Sequence, residues 1–200
     1  MKIVCLLSGG IDSVTLLFRL NKNEHDVIPL FINYGQKSAQ KEHEAANTAC
    51  KILRIELHTI DVSGLASIPS GLTHKEQSHI ENPLFPARNM ILLSIATAFA
   101  VSKSIQVIAI GIVGNTHFPD QTNEFLNAAE SVLSSSTKKN IKILAPLVKL
   151  NKLEVVRLAK ENAIPLDFTY SCYLGLEKPC NECLSCKDRM MAFKLEALNQ

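Results

Sequence analysis

Six residues near the amino terminus, Ser8-Gly9-Gly10-Ile11-Asp12-Ser13, lie between a strand-like apolar run, Lys2 to Leu7, and a helical pattern from Val14 to Leu20. Two adjacent glycines let the backbone turn sharply and bring its N–H groups within reach of an anion, while the helix that follows offers the positive end of its dipole. With hydroxyl donors at Ser8 and Ser13, the stretch from Leu7 to Ser13 reads as a phosphate cradle. Asp12 would repel a bare phosphate, which points to a Mg²⁺ held between its carboxylate and phosphate oxygens. The spacing is not Gly-x-x-x-x-Gly-Lys-Ser/Thr and no lysine follows the glycines, so an ordinary P-loop is excluded. An ordinary strand-to-helix turn also uses glycine and serine; context and composition together favour the cradle.

The rest of the chain repeats the strand-then-helix pattern. Strand-like runs fall at Lys2 to Leu7, Val27 to Asn33, Arg54 to Ile60, Ile105 to Ile110 and Ile141 to Leu144, with helical patterns at Ser13 to Leu20, Ser38 to Leu53, Arg88 to Val101 and Asn123 to Leu133. A further helix, Lys152 to Asn162, is announced by Asn151 with Glu154 three residues on, a capping box. Such alternation predicts an α/β fold with a doubly wound parallel sheet, and ligands at the carboxyl ends of its strands. Two hundred residues, 46% hydrophobic, suffice for one such domain, which buries about 70% of its unfolded surface. Two stretches break the alternation, Asp61 to Ala87 and Pro165 to Pro179, and read as functional loops that close over a nucleotide; His74, His79 and His117 lie in candidate site loops.

Composition narrows the partners. The net charge is +2 and no basic stripe follows any expected helix, so electrostatics give no case for a nucleic-acid partner. The residues Met1 to Leu7 lack the apolar core of a signal peptide, and the longest apolar stretch, Met90 to Val101, is shorter than a membrane span; a cytoplasmic location without membrane contact is expected.

Six cysteines in such a location are not expected to form disulfides. Cys5 and Cys50 stand alone and read as small buried hydrophobes. Cys172, Cys180, Cys183 and Cys186 instead give two linked Cys-x-x-Cys steps with a fourth thiolate upstream, the donor set of one tetrahedral Zn²⁺. A redox pair or an iron–sulfur cluster competes with zinc, although a redox pair needs only two of the four. A closed four-thiolate site has no open position for substrate, so the metal is expected to staple the C-terminal segment. The expected organisation is an ATP-binding α/β domain at 1–164 and a metal-binding segment at 165–200 packed on it.

The glycine loop resembles the PP-loop of the ATP-pyrophosphatases, which bind the pyrophosphate end of ATP and release AMP. Taken with Tyr34-Gly35-Gln36, Pro86-Ala87-Arg88-Asn89, Thr169-Tyr170-Ser171-Cys172-Tyr173 and the cluster Cys180-x-x-Cys183-x-x-Cys186-x-x-Arg189, it resembles the QueC family, the 7-cyano-7-deazaguanine synthases, from end to end. The resemblance implies an adenine-nucleotide α-hydrolase-like fold that binds ATP, Mg²⁺ and Zn²⁺, in a chain that is commonly dimeric. It also implies a nucleotide and substrate site formed by Leu7, Ser8, Gly9, Gly10, Ile11, Asp12 and Ser13 with Tyr34, Gly35, Gln36, Lys37, Arg88 and Asn89. Asp12, Arg88 and Asp120 are its implied catalytic groups, and Cys172, Cys180, Cys183 and Cys186 its implied metal ligands. The activity implied is ligation: the carboxylate of 7-carboxy-7-deazaguanine is adenylated, ammonia gives the amide, and a second activation gives the nitrile.

The chain departs from that pattern in one loop. Where the family usually reads an acidic residue and then Tyr-Pro-Asp-Cys-Arg, this sequence reads Gly114-Asn115-Thr116-His117-Phe118-Pro119-Asp120-Gln121-Thr122, so Asp120 is kept while the tyrosine hydroxyl, the cysteine, the arginine and the upstream acid are gone. The loop Asp61 to Ala87 is also abbreviated, and Asn181 replaces a glycine. Only a primary amide can lose water to become a nitrile, so an enzyme that joins the acyl group to a protein amine must stop at the amide; some QueC-like proteins of antiviral defence operons act in this way on a partner protein. Two further readings stand beside the ligase: a PP-loop enzyme of tRNA thiolation, for which no catalytic cysteine pair or tRNA-binding extension is evident, and a binding module that holds ATP without turnover.

Overall fold

A computed structural model describes residues 1–74, 85–114 and 118–198. Its five strands are β1 (Lys2–Leu6), β2 (Asp26–Asn33), β3 (His58–Asp61), β4 (Val107–Ala109) and β5 (Lys142–Leu144), all parallel and ordered β3-β2-β1-β4-β5. The helices are α1 (Ile11–Lys22), α2 (Ala39–Leu53), α3 (Arg88–Ser102), α4 (Asn123–Thr137), α5 (Lys152–Glu161) and α6 (Leu184–Leu198).

The period of two in β1 sorts these helices into two layers. Ile3, Cys5 and Leu7 face one side, against Val14 and Leu17 of α1, Ala46 and Ala49 of α2 and Val155 and Val156 of α5. Val4 and Leu6 face the other, against Leu93 and Ala96 of α3 and Leu126 and Ala129 of α4. Cys5 and Cys50 lie in the first of these layers as buried thiols, and burial pushes Cys5 up to about 12, which keeps it inert. Strand order reverses at β1, so the loops after β1 and β4 diverge and leave a crevice at the carboxyl edge.

Some boundaries differ from the sequence pattern for local reasons. The strand expected from Arg54 begins only at His58, because Arg54 takes a left-handed conformation (φ 57°) that ends α2 and the Ile55 amide bonds back to Cys50 at 3.0 Å. The Ile105 amide likewise closes α3 on Ala100 at 2.8 Å, leaving β4 three residues long. A 3₁₀ turn at Ser63–Ser67 occupies part of the stretch expected to be irregular, and the His74 ring meets the Thr73 hydroxyl at 3.2 Å; His79 and His117 lie outside the described residues. Helix α6 gave no periodic apolar signal: it buries only Cys186, Ala192 and Glu196, and Glu196 pairs with Arg157 at 2.9 Å and Lys160 at 3.6 Å on α5. The capping box is formed as expected, Glu154 N–H to Asn151 Oδ1 at 3.0 Å and Asn151 N–H to Glu154 Oε2 at 2.7 Å. Among the described residues no helix is long and apolar enough to cross a membrane.

Gly9 is the backbone position that makes the crevice possible. It holds φ +76°, and a Cβ there would stand 2.4 Å from the Glu42 carbonyl and 2.8 Å from the Ala45 Cβ of α2. Gly9→Ala is therefore expected to cost about 2 kcal/mol or more, from left-handed strain and overpacking together. Urea unfolding measures this, and an unshifted midpoint would mean that the loop relaxes freely away from α2.

Candidate active site

The crevice is a cavity of about 280 Å³ bordered by the loop after β1, the amino ends of α1, α3 and α5, and the C-terminal segment. Within the loop, Ser13 ties the turn together: its hydroxyl donates to the Gly10 carbonyl at 3.1 Å, receives the Ser8 amide at 3.2 Å and meets the Ser8 hydroxyl at 3.2 Å. Gly10, in extended conformation, precedes α1 without a side-chain cap, so the helix amino end faces the cavity with its positive partial charge. Asp12 sits in that first turn. One carboxylate oxygen accepts from the Lys152 ammonium at 2.5 Å, while the other, Oδ1, is buried with no hydrogen-bond partner. A buried carboxylate oxygen left bare is costly, and a hard divalent cation is the ligand its chemistry fits.

A second cationic side chain, Arg88, lines the same cavity. Arg88 opens α3 beside Tyr34 and Tyr173; burial works against its charge, and the two phenols and Asp120 outweigh it, holding the guanidinium above its usual value. Burial in turn pushes the Tyr34 and Tyr173 phenols up to about 12, against the pull of Arg88, so both are neutral hydroxyl groups at physiological pH. Tyr34 is held by its ring against Phe85 at 5.5 Å and by its amide, which donates to Gln36 Oε1 at 2.9 Å. Gln36 donates in turn to Glu42 at 2.9 Å. Burial raises the Glu42 carboxyl, with Gln36 and Ser38 opposing by hydrogen bonds.

All the residues nominated from the sequence for nucleotide, substrate or catalysis border this cavity except Gly9, Gly35 and Lys37. Gly9 stands behind the loop against α2, and Gly35 (φ +84°) packs where a Cβ would be 2.5 Å from the Ala66 Cβ. The Lys37 amide donates to the Leu72 carbonyl at 2.9 Å, which ties this loop to the turn after the 3₁₀ helix. Asp120 and Asn89 meet each other: the Asn89 amide donates to Asp120 Oδ2 at 3.3 Å and the Asn89 side chain to the Asp120 carbonyl at 3.0 Å. Asp120 thus caps the start of α3 from a distant loop and fixes Arg88 beside it. Lys152, Asp188 and Ser185 also border the cavity and were not nominated; Lys152 follows the cap of α5, and Ser185 and Asp188 are the unnamed positions of the Cys180-to-Arg189 motif on α6.

The four clustered cysteines come together as the spacing expects, with all sulfurs within 4.8 Å of one another. Cys180 and Cys186 sulfurs are 3.9 Å apart, close to the roughly 3.8 Å edge of a tetrahedron of thiolates around a zinc-sized ion. Burial raises the Cys180 thiol and amides of Cys183 and Glu182 more than reverse it, bringing it to about 7, where a ligating thiolate forms readily. The cluster is joined to the loop directly. The Tyr170 amide donates to the Gly9 carbonyl at 3.0 Å, and Arg189 of α6 donates to Thr169 Oγ1 at 2.6 Å and the Leu166 carbonyl at 3.2 Å. Tyr170, Ser171 and Tyr173 thus form a wall of the cavity, and Tyr170 and Tyr173 pack against the cysteine cluster.

With this geometry in hand, residues 2–197 match the family model described as queuosine biosynthesis protein QueC. A 7-cyano-7-deazaguanine synthase from Campylobacter hominis is 36% identical over 97% of this chain and 95% of its own length. A 7-cyano-7-deazaguanine synthase 1 from Desulfitobacterium hafniense is 39% identical over 97% of this chain and 92% of its own. Among solved structures, NMN synthetase from Francisella tularensis superposes with TM-score 0.55 at 18% identity, covering 98% of this chain and 76% of that one, which shows a shared fold.

Cys183→Ser is expected to lose bound metal and soluble yield together, because metal binding supplies folding free energy. Elemental analysis of the purified variant checks this, and full metal occupancy would sink the four-thiolate assignment.

Proposed function

The chain belongs to the QueC family of queuosine biosynthesis proteins, ATP-dependent enzymes of the PP-loop class, and from this membership we propose that it adenylates the carboxylate of 7-carboxy-7-deazaguanine and passes the acyl group to ammonia. The observation that carries the reading is the pairing, in one cavity, of an uncapped helix amino end bearing the bare Asp12 oxygen with a guanidinium flanked by two neutral phenols. The first pole suits a metal-bound polyphosphate and the second a planar carboxylate.

In this reading the loop amides, Ser8 and Ser13 hold the phosphates of ATP, and Asp12 is the residue that would hold Mg²⁺. The metal, when bound, neutralises phosphate charge. Arg88 orients the substrate carboxylate so that one of its oxygens attacks the α-phosphorus while the bond to pyrophosphate breaks. Ammonia then attacks the acyl carbon, and AMP leaves with the bonding pair. The amide oxygen is activated by a second ATP in the same way, and loss of AMP and protons leaves the nitrile. The protein's contribution is positioning and charge stabilisation in a partly enclosed site. Zn²⁺ fits the four-thiolate cluster, where it would hold the wall formed by Tyr170 to Tyr173.

The altered loop supports a second outcome. Phe118 brings no phenol to the cavity, and the Asp120 carboxylate and carbonyl are both engaged by Asn89. A chain with fewer free polar groups there is suited to stop at the amide, with a protein amine as acceptor in place of ammonia. Incubation with ATP, Mg²⁺, 7-carboxy-7-deazaguanine and ammonium, with and without a candidate acceptor protein, separates the two by mass spectrometry. Free nitrile is the expected product of the first reading; accumulated amide or a protein adduct establishes the second, and absence of AMP in every mixture overturns both. Asp12→Asn is expected to reduce AMP formation by on the order of 10²-fold or more with the fold intact; unchanged turnover would remove Asp12 from the metal site.

A further inference from the structure

The altered loop before α4 holds an unused acceptor. Gln121 borders the cavity, and its side-chain oxygen Oε1 is buried with no hydrogen-bond partner. Its backbone is fixed from both sides. The Gln121 amide donates to the Phe118 carbonyl at 3.2 Å, closing a tight turn, and Thr122 caps α4 by accepting from the Phe125 amide at 3.1 Å. Asp120, the preceding residue, is bound by Asn89 in the first turn of α3, and its carboxylate acts on the charge of Arg88. A buried carboxamide oxygen without a donor is unfavourable, so at the border of a cavity its donor is expected from what the cavity takes up. Gln121 also stands where the Tyr-Pro-Asp-Cys-Arg pattern has its cysteine, so a strong acceptor replaces a weak one in this chain.

The chemistry of the ligation selects the donor. ATP presents acceptors at its phosphates, and an ionised carboxylate has no hydrogen to give. The deazaguanine ring carries its N–H groups on atoms removed from the carboxyl-bearing carbon. Ammonia is the reactant made of donors, and it must approach the acyl carbon that Arg88 orients. We propose that Gln121 receives the nitrogen nucleophile of this enzyme: its Oε1 accepts one N–H of ammonia and so turns the nitrogen lone pair toward the acyl carbon. In that step the C–N bond forms, the C–O bond to AMP breaks with its electron pair on the phosphate, and the surplus proton of the nitrogen passes to solvent. Gln121 takes no proton itself, since a carboxamide oxygen is an acceptor and not a base at physiological pH. The inference rests on the adenylation reading, which supplies the acyl donor.

Two measurements on the metal-loaded full chain test it. Exchange of labelled pyrophosphate into ATP with 7-carboxy-7-deazaguanine needs no nucleophile, whereas amide formation at varied ammonium concentration does. Gln121→Met is expected to lower kcat/KM for ammonium by about tenfold, while pyrophosphate exchange and the KM for the deazaguanine change by less than about twofold. If the methionine variant is insoluble, Gln121→Leu carries the same expectation. An unchanged kcat/KM for ammonium, or an equal loss in pyrophosphate exchange, would overturn the proposal. Wild-type exchange with no amide formed from ammonium would overturn it too and leave adenylation standing. Absence of exchange in the wild type would defeat the adenylation reading and this inference with it.

Discussion

A backbone hydrogen bond from the Tyr170 amide to the Gly9 carbonyl, at 3.0 Å, joins the two halves of the site. On one side stands the loop after β1, able to turn its carbonyl outward because Gly9 adopts a left-handed conformation and lies flush against α2. On the other stands a segment with little regular structure of its own, held by four cysteines and by Arg189. Both halves line the cavity. The sheet supplies one edge of the cavity and the segment around the cysteine cluster another, so a metal held by the cysteines and a nucleotide held by the loop would draw on the same contacts.

Charge divides the cavity into two poles. At one, Asp12, Lys152 and Asp188 surround the amino end of α1; at the other, Arg88 stands between two phenols that burial keeps neutral. The first pole carries two carboxylates against one ammonium, and the second carries the Arg88 guanidinium with the Asp120 carboxylate near it. In the proposed reaction the amino end of α1 would take the metal-bound polyphosphate and Arg88 the carboxylate. Preorganised charge of this kind costs no reorganisation at the moment of reaction, because Asn89, Asp120, Gln36 and Glu42 already fix the groups around Arg88 and Tyr34.

The fold and much of the site were legible in the sequence because they rest on local signals. Alternating apolar runs named the parallel sheet, the Asn151–Glu154 pair named the start of α5, and two Cys-x-x-Cys steps named the cysteine cluster. Groups brought in by long-range packing were not. Lys152 meets Asp12 across 140 positions, and Asp188 joins them from α6; both stand inside motifs read from the sequence, but their meeting with Asp12 had no local pattern to announce it. Gly35 and Lys37 show the converse. Their motif is real, but the neighbours they meet are Ala66 and Leu72, residues of a loop whose path no local pattern foretold. Asp120 was marked as a kept acid; its distant hydrogen bonds to Asn89 add a helix-capping role that sequence alone does not reveal.

The dependence of the nucleotide site on the cysteine-bound segment is tested most directly by stripping the metal from the wild-type chain with a chelator and measuring Mg·ATP affinity before and after. A loss of about tenfold or more, reversed when zinc is restored, is the predicted result, since Tyr170 to Tyr173 and Asp188 lose their common anchor. Undiminished ATP affinity in a folded, metal-free chain would show that the loop after β1 binds nucleotide by itself and would contradict the account.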